Sequence, residues 1–153
     1  MPRLDSGVIG TAIPAHTVAA ERGRLRFFAD ATGQHDPVYR DLDAARAAGH
    51  PDLPIPPTFL FCMEMDRPDP DQNVVRVLGI DPLTILHGEQ QFFFHRLAYA
   101  GEPLTFSSSV SDYYEKKGGA LKFVVRTTAV TRDGAPIACL RATTIVRDPR
   151  ASR

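Results

Sequence analysis

The chain has 153 residues, 43% of them hydrophobic and 24% charged, with 18 Lys plus Arg balanced by 18 Asp plus Glu. This is the size and composition of one globular domain with enough apolar material for a core, and not that of a disordered segment. A zero net charge lacks the basic surplus of nucleic-acid binders, and no apolar run approaches the length of a membrane span. Met1 to Gly10 has no apolar stretch of the kind a signal peptide needs. A cytoplasmic protein with neither nucleic acid nor membrane as partner is expected. The two cysteines, Cys62 and Cys139, each sit in an apolar stretch and are expected as reduced thiols. No Cys/His cluster points to zinc, and neither a metal nor an organic cofactor is expected.

In chain order, Val8 to Val18 reads as a short first strand interrupted by Pro14. Glu21 to Thr32 carries Leu25, Phe28, Ala29 and Thr32 at helical spacing, and Gly33 stops it. Asp36-Pro37 starts a turn, because the residue before proline avoids the helical region. Asp41 to Ala48 is a second short helix, stopped by Gly49. A proline-rich loop, His50 to Pro57, leads into Thr58-Phe59-Leu60-Phe61-Cys62-Met63-Glu64-Met65. That run is apolar nearly all round, so the spacing predicts a buried helix, with Pro56 and Pro57 tolerated at its start. Pro68 and Pro70 end it.

The second half reads as β. Ile85 to Leu97 is one strand, with Phe92 and Phe94 on one face. Leu104, Phe106, Ser108 and Val110 alternate with polar neighbours on the next. Lys117-Gly118-Gly119 signals a hairpin. Leu121 to Thr131 and Ile137 to Arg147 are joined by Asp133-Gly134, a strong type I′ turn pair. The tail from Asp148 is expected to fray. A lone apolar helix has to bury its faces, and a curved antiparallel sheet wrapped around it does so. The expected fold is therefore α+β, one domain over 1–153.

The stretches FFADATGQHDPVYRDLDAARAAG, PPTF, LHGEQQFFFH and AGEPLTF together resemble the N-terminal domain of MaoC-like dehydratases, over roughly residues 5 to 147. The resemblance implies a hot-dog fold and acyl thioesters of CoA or acyl-carrier protein as substrates. It also implies addition or removal of water at the carbon β to the thioester, and dimers in which two protomers share a continuous sheet. Catalytic members of that group carry a Gly-Asp-x-Asn-Pro-x-His segment after the first helix. Set on Gly33-Gln34-His35-Asp36-Pro37-Val38-Tyr39, it places Gln34 where the catalytic Asp belongs and Tyr39 where the catalytic His belongs. Asp36 takes the Asn position.

Dehydration of a 3-hydroxyacyl thioester needs a base, an acid, and a donor for the charge that develops on the thioester oxygen. The resemblance makes the Thr58 N–H the donor, in the Pro57-Thr58-Phe59 segment that would contact substrate; the plainer role of Thr58 is to begin the helix. Gln34 does not titrate, and a tyrosine is only about one part in a thousand ionised at neutral pH. Tyr39 is left to hydrogen-bond substrate or to pack against Phe27 or Phe28. Replacement acid/base groups are His35 with Asp36, although Asp36 more simply caps its turn, or His87 with Glu89. The latter two stand two apart on a predicted strand, hence on one face with His95; a solvated or interfacial polar pair is the alternative. Phe59, Phe61, Phe92 and Phe94 suit either an acyl tunnel or a core. Glu64 tests a rival activity, a hot-dog thioesterase whose helix carboxylate activates water, against an exposed position at the helix end.

Three functions follow. The chain is the half-site or non-catalytic subunit of a dehydratase whose MaoC-like partner brings the acid and base, or an autonomous hydratase homodimer with a relocated pair, or a thioester-binding module.

Overall fold

In a computed structural model, which describes residues 4–148, five strands form one antiparallel sheet in the order β1-β3-β4-β5-β2. They are β1 (Ala12–Ala19), β2 (Ile85–Phe94), β3 (Pro103–Lys116), β4 (Leu121–Arg132) and β5 (Ala135–Arg147). Four helices, α1 (Arg22–Ala31), α2 (Leu42–Ala47), α3 (Phe59–Met65) and α4 (Val74–Val77), all lie between β1 and β2 in the chain. The expected frayed tail lies outside the described residues beyond Asp148. The Asp133-Gly134 turn between β4 and β5 has positive φ at both residues, 50° and 78°, the backbone that a two-residue type I′ hairpin demands. Pro14 falls where β1 slips register against β3, between Ile13 and His16; lacking an N–H, proline fits an edge strand at such a break.

The sheet curves around α3. Phe59, Leu60 and Met63 are buried with Leu104, Phe106, Val130, Ile137 and Leu140 from β3, β4 and β5. The opposite side of the helix is less covered than its composition suggests: Phe61 and Cys62 are half-buried and Met65 is 55% exposed. Between α3 and β2, where no element was expected, α4 and flanking 3-10 turns form a lid, with Val74 packed on Ile13, Val110 and Val124.

Glu64 departs from the expected exposed helix end. It is 1% exposed and accepts from Arg126 Nη2 at 2.8 Å and from the Thr128 hydroxyl. Thr128 in turn lies 2.8 Å from Ser108 Oγ. Both carboxylate oxygens are thus held by β4, in a dry environment where an ion pair replaces the lost solvation.

His16 is buried beside this cluster, stacked on Phe106 with centroids 5.2 Å apart and with Nε2 3.2 Å from the Met63 carbonyl, to which it donates. Burial pushes its pKa below the ordinary value of 6.5; the Met63 hydrogen bond opposes this, Arg67 reinforces it, and Glu64 and Asp66 oppose it. The unfolded chain therefore binds this proton more readily than the folded one, and stability falls as pH drops below about 6.5. Urea midpoints measured at pH 7.5 and pH 5.5 should show the lower value at pH 5.5, with the difference reduced in His16→Gln.

The sheet ends at β2, which pairs on one side with β5 and presents its other edge along ten residues. Leu86, Phe93 and Phe94 on this strand are 47%, 53% and 51% exposed. A long, apolar, unpaired edge is an association site.

Candidate active site

The His87–Glu89 pair does not form. β2 slips register against β5 between these two residues, with His87 opposite Thr144 and Glu89 opposite Thr143. A bulge of this kind inserts one residue and resets the alternation of faces. His87 turns toward α3, its ring edge-on to Phe61 at 5.3 Å. Glu89 instead accepts from Gln91 Nε2 at 2.8 Å, while the intervening Gln90 lines a cavity with His87. The extra residue is Gly88, pressed against β5. A Cβ there would come within 3.0 Å of both the Thr143 carbonyl oxygen and Ile145 Cγ1, and the backbone oxygen cannot yield as a side chain could. Gly88→Ala should therefore lower stability by roughly 1–3 kcal/mol through local overpacking, read as a shift in denaturation midpoint.

The cavity beside His87 measures about 230 Å³ and is walled by Phe28 of α1, by Thr58, Phe61 and Cys62, and by His87, Gln90 and Phe92 of β2. Thr58, the residue before α3, is exposed and makes no side-chain capping bond. It stands at the cavity wall, as does Phe92. Gln90 and Cys62 were not singled out; Cys62 follows Thr58 by one helical turn, a spacing that puts both on one face.

A second cavity, about 370 Å³, adjoins the other side of the same turn and is lined by Ile55, Pro57, Leu60, Ala98 and Ile137, with Phe94, His95, Arg96 and Leu97 at the end of β2. His95 thus belongs to a different cavity from His87 and, like His87, is exposed. Phe59 contacts neither cavity: it is 4% exposed, meets Phe28 edge-to-face at 5.1 Å and lies under the Arg24 guanidinium at 5.5 Å. With Gly23, Arg24, Phe27, Phe28 and Cys62 it lines a neighbouring cavity of about 390 Å³, which shares Phe28 and Cys62 with the first.

The Gln34–Tyr39 segment is organised by its own backbone. Gln34 N donates to the Ala29 carbonyl at 2.8 Å, capping α1, and Gln34 Oε1 accepts from Asp36 N at 3.1 Å. Asp36 Oδ1 accepts from Val38 N at 3.1 Å, the turn-capping role expected of it. His35 is exposed, and Asp36 is spent on this turn without engaging it. Tyr39 is half-buried at the end of the 3-10 turn Pro37–Tyr39. None of these residues lines either cavity. Among the described residues there is no group of three or more His, Cys, Asp or Glu placed to hold a metal ion.

The model of the FAS1-like dehydratase domain region matches residues 7–140. The chain belongs to this dehydratase-domain family. A UPF0336 protein of Saccharopolyspora erythraea is 36% identical over 146 residues, covering 94% of this chain and 92% of that protein. The HadBC (3R-hydroxyacyl-ACP dehydratase) complex of Mycobacterium tuberculosis contains a chain that superposes with a TM-score of 0.77 at 22% identity, covering 93% of this chain and 99% of that one. A MaoC-like dehydratase of Phytophthora capsici gives a TM-score of 0.77 at 19% identity, covering 95% of this chain but 51% of the other. At these identities the structures establish the fold, and it is the hot-dog fold. The dehydratase-family chain described here thus has the hot-dog architecture, with a cavity at the start of α3.

Proposed function

We propose that this chain is one half-site of a hydratase/dehydratase acting on 3-hydroxyacyl or 2-enoyl thioesters of CoA or acyl-carrier protein in the cytoplasm, and that a MaoC-like partner subunit supplies the acid and base. The observation that carries this is that, among the described residues, no proton-transfer pair stands beside the Thr58 cavity: Gln34 does not titrate, Asp36 is occupied by its own turn, and the β2 bulge parts Glu89 from His87. In this assignment Thr58 directs its N–H at the thioester oxygen, where one preorganised donor is worth about 10²–10³ in rate, and Pro57 shapes the approach. The free β2 edge pairs with the partner's equivalent strand and continues the sheet. The HadBC structure supports this reading as a heteromeric 3R-hydroxyacyl-ACP dehydratase built on the same fold, and so does the Phytophthora protein, in which a unit of this size accompanies as much chain again.

A second reading has one observation in its favour. His87 lines the cavity beside Thr58, so a homodimer could use that imidazole alone as base. Assay of the purified chain on 2-enoyl-CoA, alone and mixed with a candidate MaoC-like partner subunit, separates the two. Turnover only in the mixture is expected; robust turnover by the chain alone that is lost in His87→Ala would establish the homodimer instead.

A further inference from the structure

We propose that Glu64 is a positioning residue for the Thr58 N–H: its buried tie to β4 fixes where the start of α3 lies, so that its loss costs turnover even where stability is kept. The inference rests on the half-site reading above and assigns to that site a residue outside it. The two ends of α3 are held differently. At the start, Thr58 is exposed and makes no side-chain capping bond. At the far end, Glu64 accepts from Arg126 Nη2 at 2.8 Å and from the Thr128 hydroxyl, and the Met63 carbonyl accepts from His16 Nε2 at 3.2 Å. Both partners of Glu64 stand on β4, which has a strand on each side. The one Thr128 hydroxyl proton goes to Glu64, so Ser108 of β3 donates to Thr128, at 2.8 Å.

The helix carries this anchor to the site. Thr58 already has helical backbone angles, φ −78° and ψ −8°, and Glu64 lies six residues on, about 9 Å along the axis. A helix of seven residues has little stability of its own, so its place is set by what it packs on. The apolar contacts of Phe59, Leu60 and Met63 are non-directional, and small shifts of the helix preserve them. Two hydrogen bonds to one carboxylate do not survive such shifts, because they weaken steeply with misalignment. A buried ion pair contributes little net stability relative to packed apolar side chains. What this one supplies is a single position for the helix. A reacting group misplaced by about 1 Å can cost on the order of 10²-fold in rate.

The test uses the Glu64→Leu/Arg126→Leu double variant, which leaves no charge stranded and so regains most of the stability that either single variant loses. In the heteromer its kcat on 2-enoyl-CoA should fall by about 10²-fold with KM little changed. Glu64→Gln, which keeps the shape and one acceptor oxygen, should lie between the two. The Thr58 amide, followed by NMR in the full chain, should give one resonance in the unmodified protein and a displaced or doubled one in the double variant. A pair that only stabilises the fold would regain kcat together with stability. A folded double variant with unaltered kcat therefore overturns the proposal, and so does an unmoved Thr58 resonance. If the double variant does not fold, Glu64→Gln carries the same two readouts, and no change in either overturns it equally. Absence of turnover by the unmodified chain with any candidate partner is a different result: it removes the half-site reading, and the Thr58 resonance still decides the positioning role.

Discussion

Replacing Arg126 by leucine should cost this chain roughly 3–5 kcal/mol of folding stability, among the largest effects of any single substitution. The reason lies in what is left behind. The Glu64 side chain is 1% exposed and that of Arg126 10%, so loss of the guanidinium strands a carboxylate whose remaining donor is Thr128. Glu64→Leu strands the guanidinium in turn. The double variant removes both charges, and because a buried pair spends most of its attraction on desolvation, it should recover much of the loss. Equilibrium unfolding of the two single variants and the double variant measures this cycle directly. A double variant as unstable as the sum of the singles would mean that the two side chains act independently, contrary to the 2.8 Å contact.

The second large effect is on catalysis. In the heteromer proposed above, replacing the acid or base of the partner subunit should lower turnover by about 10²–10⁴, the range general acid–base groups contribute. His87→Ala in this chain should change it by less than about tenfold, because a wall residue without a carboxylate neighbour shapes the site and does not drive proton transfer. The informative quantity is the split between kcat and KM. Loss of wall contacts raises KM with little change in kcat, whereas loss of a proton donor lowers kcat. A fall in kcat on His87→Ala comparable to that of the partner variants would assign the chemistry to this chain.

Most of the fold was legible in the sequence because it is written locally. Alternation in Leu104-Phe106-Ser108-Val110, the Asp133-Gly134 turn and the apolar run at 58–65 each name their element within a few residues. What was not legible depends on residues far away. The parity of β2 follows from a bulge that β5 imposes at Gly88; read alone, His87 and Glu89 are simply two apart. Glu64 looks like a helix-end residue until β4 brings Arg126, 62 positions on, to meet it. For the site, the resemblance pointed to Pro57 and Thr58, which line separate cavities, while Phe92 was left open between tunnel and core. Gln90 and Cys62 entered only through the cavity they help enclose, and Phe59, equally apolar, packs edge-on to Phe28 beneath the Arg24 guanidinium.

The bare edge of β2 has a bearing on how the protein behaves when made by itself. A ten-residue edge strand whose outward-facing N–H and C=O groups meet no strand among the described residues, with phenylalanines beside it, will pair with a strand of matching shape, including its own copy. Self-pairing is therefore the outcome expected when this chain is produced by itself. A symmetric dimer on a sizing column would therefore be compatible with the heteromer proposed above, and co-production with a candidate partner subunit distinguishes the two.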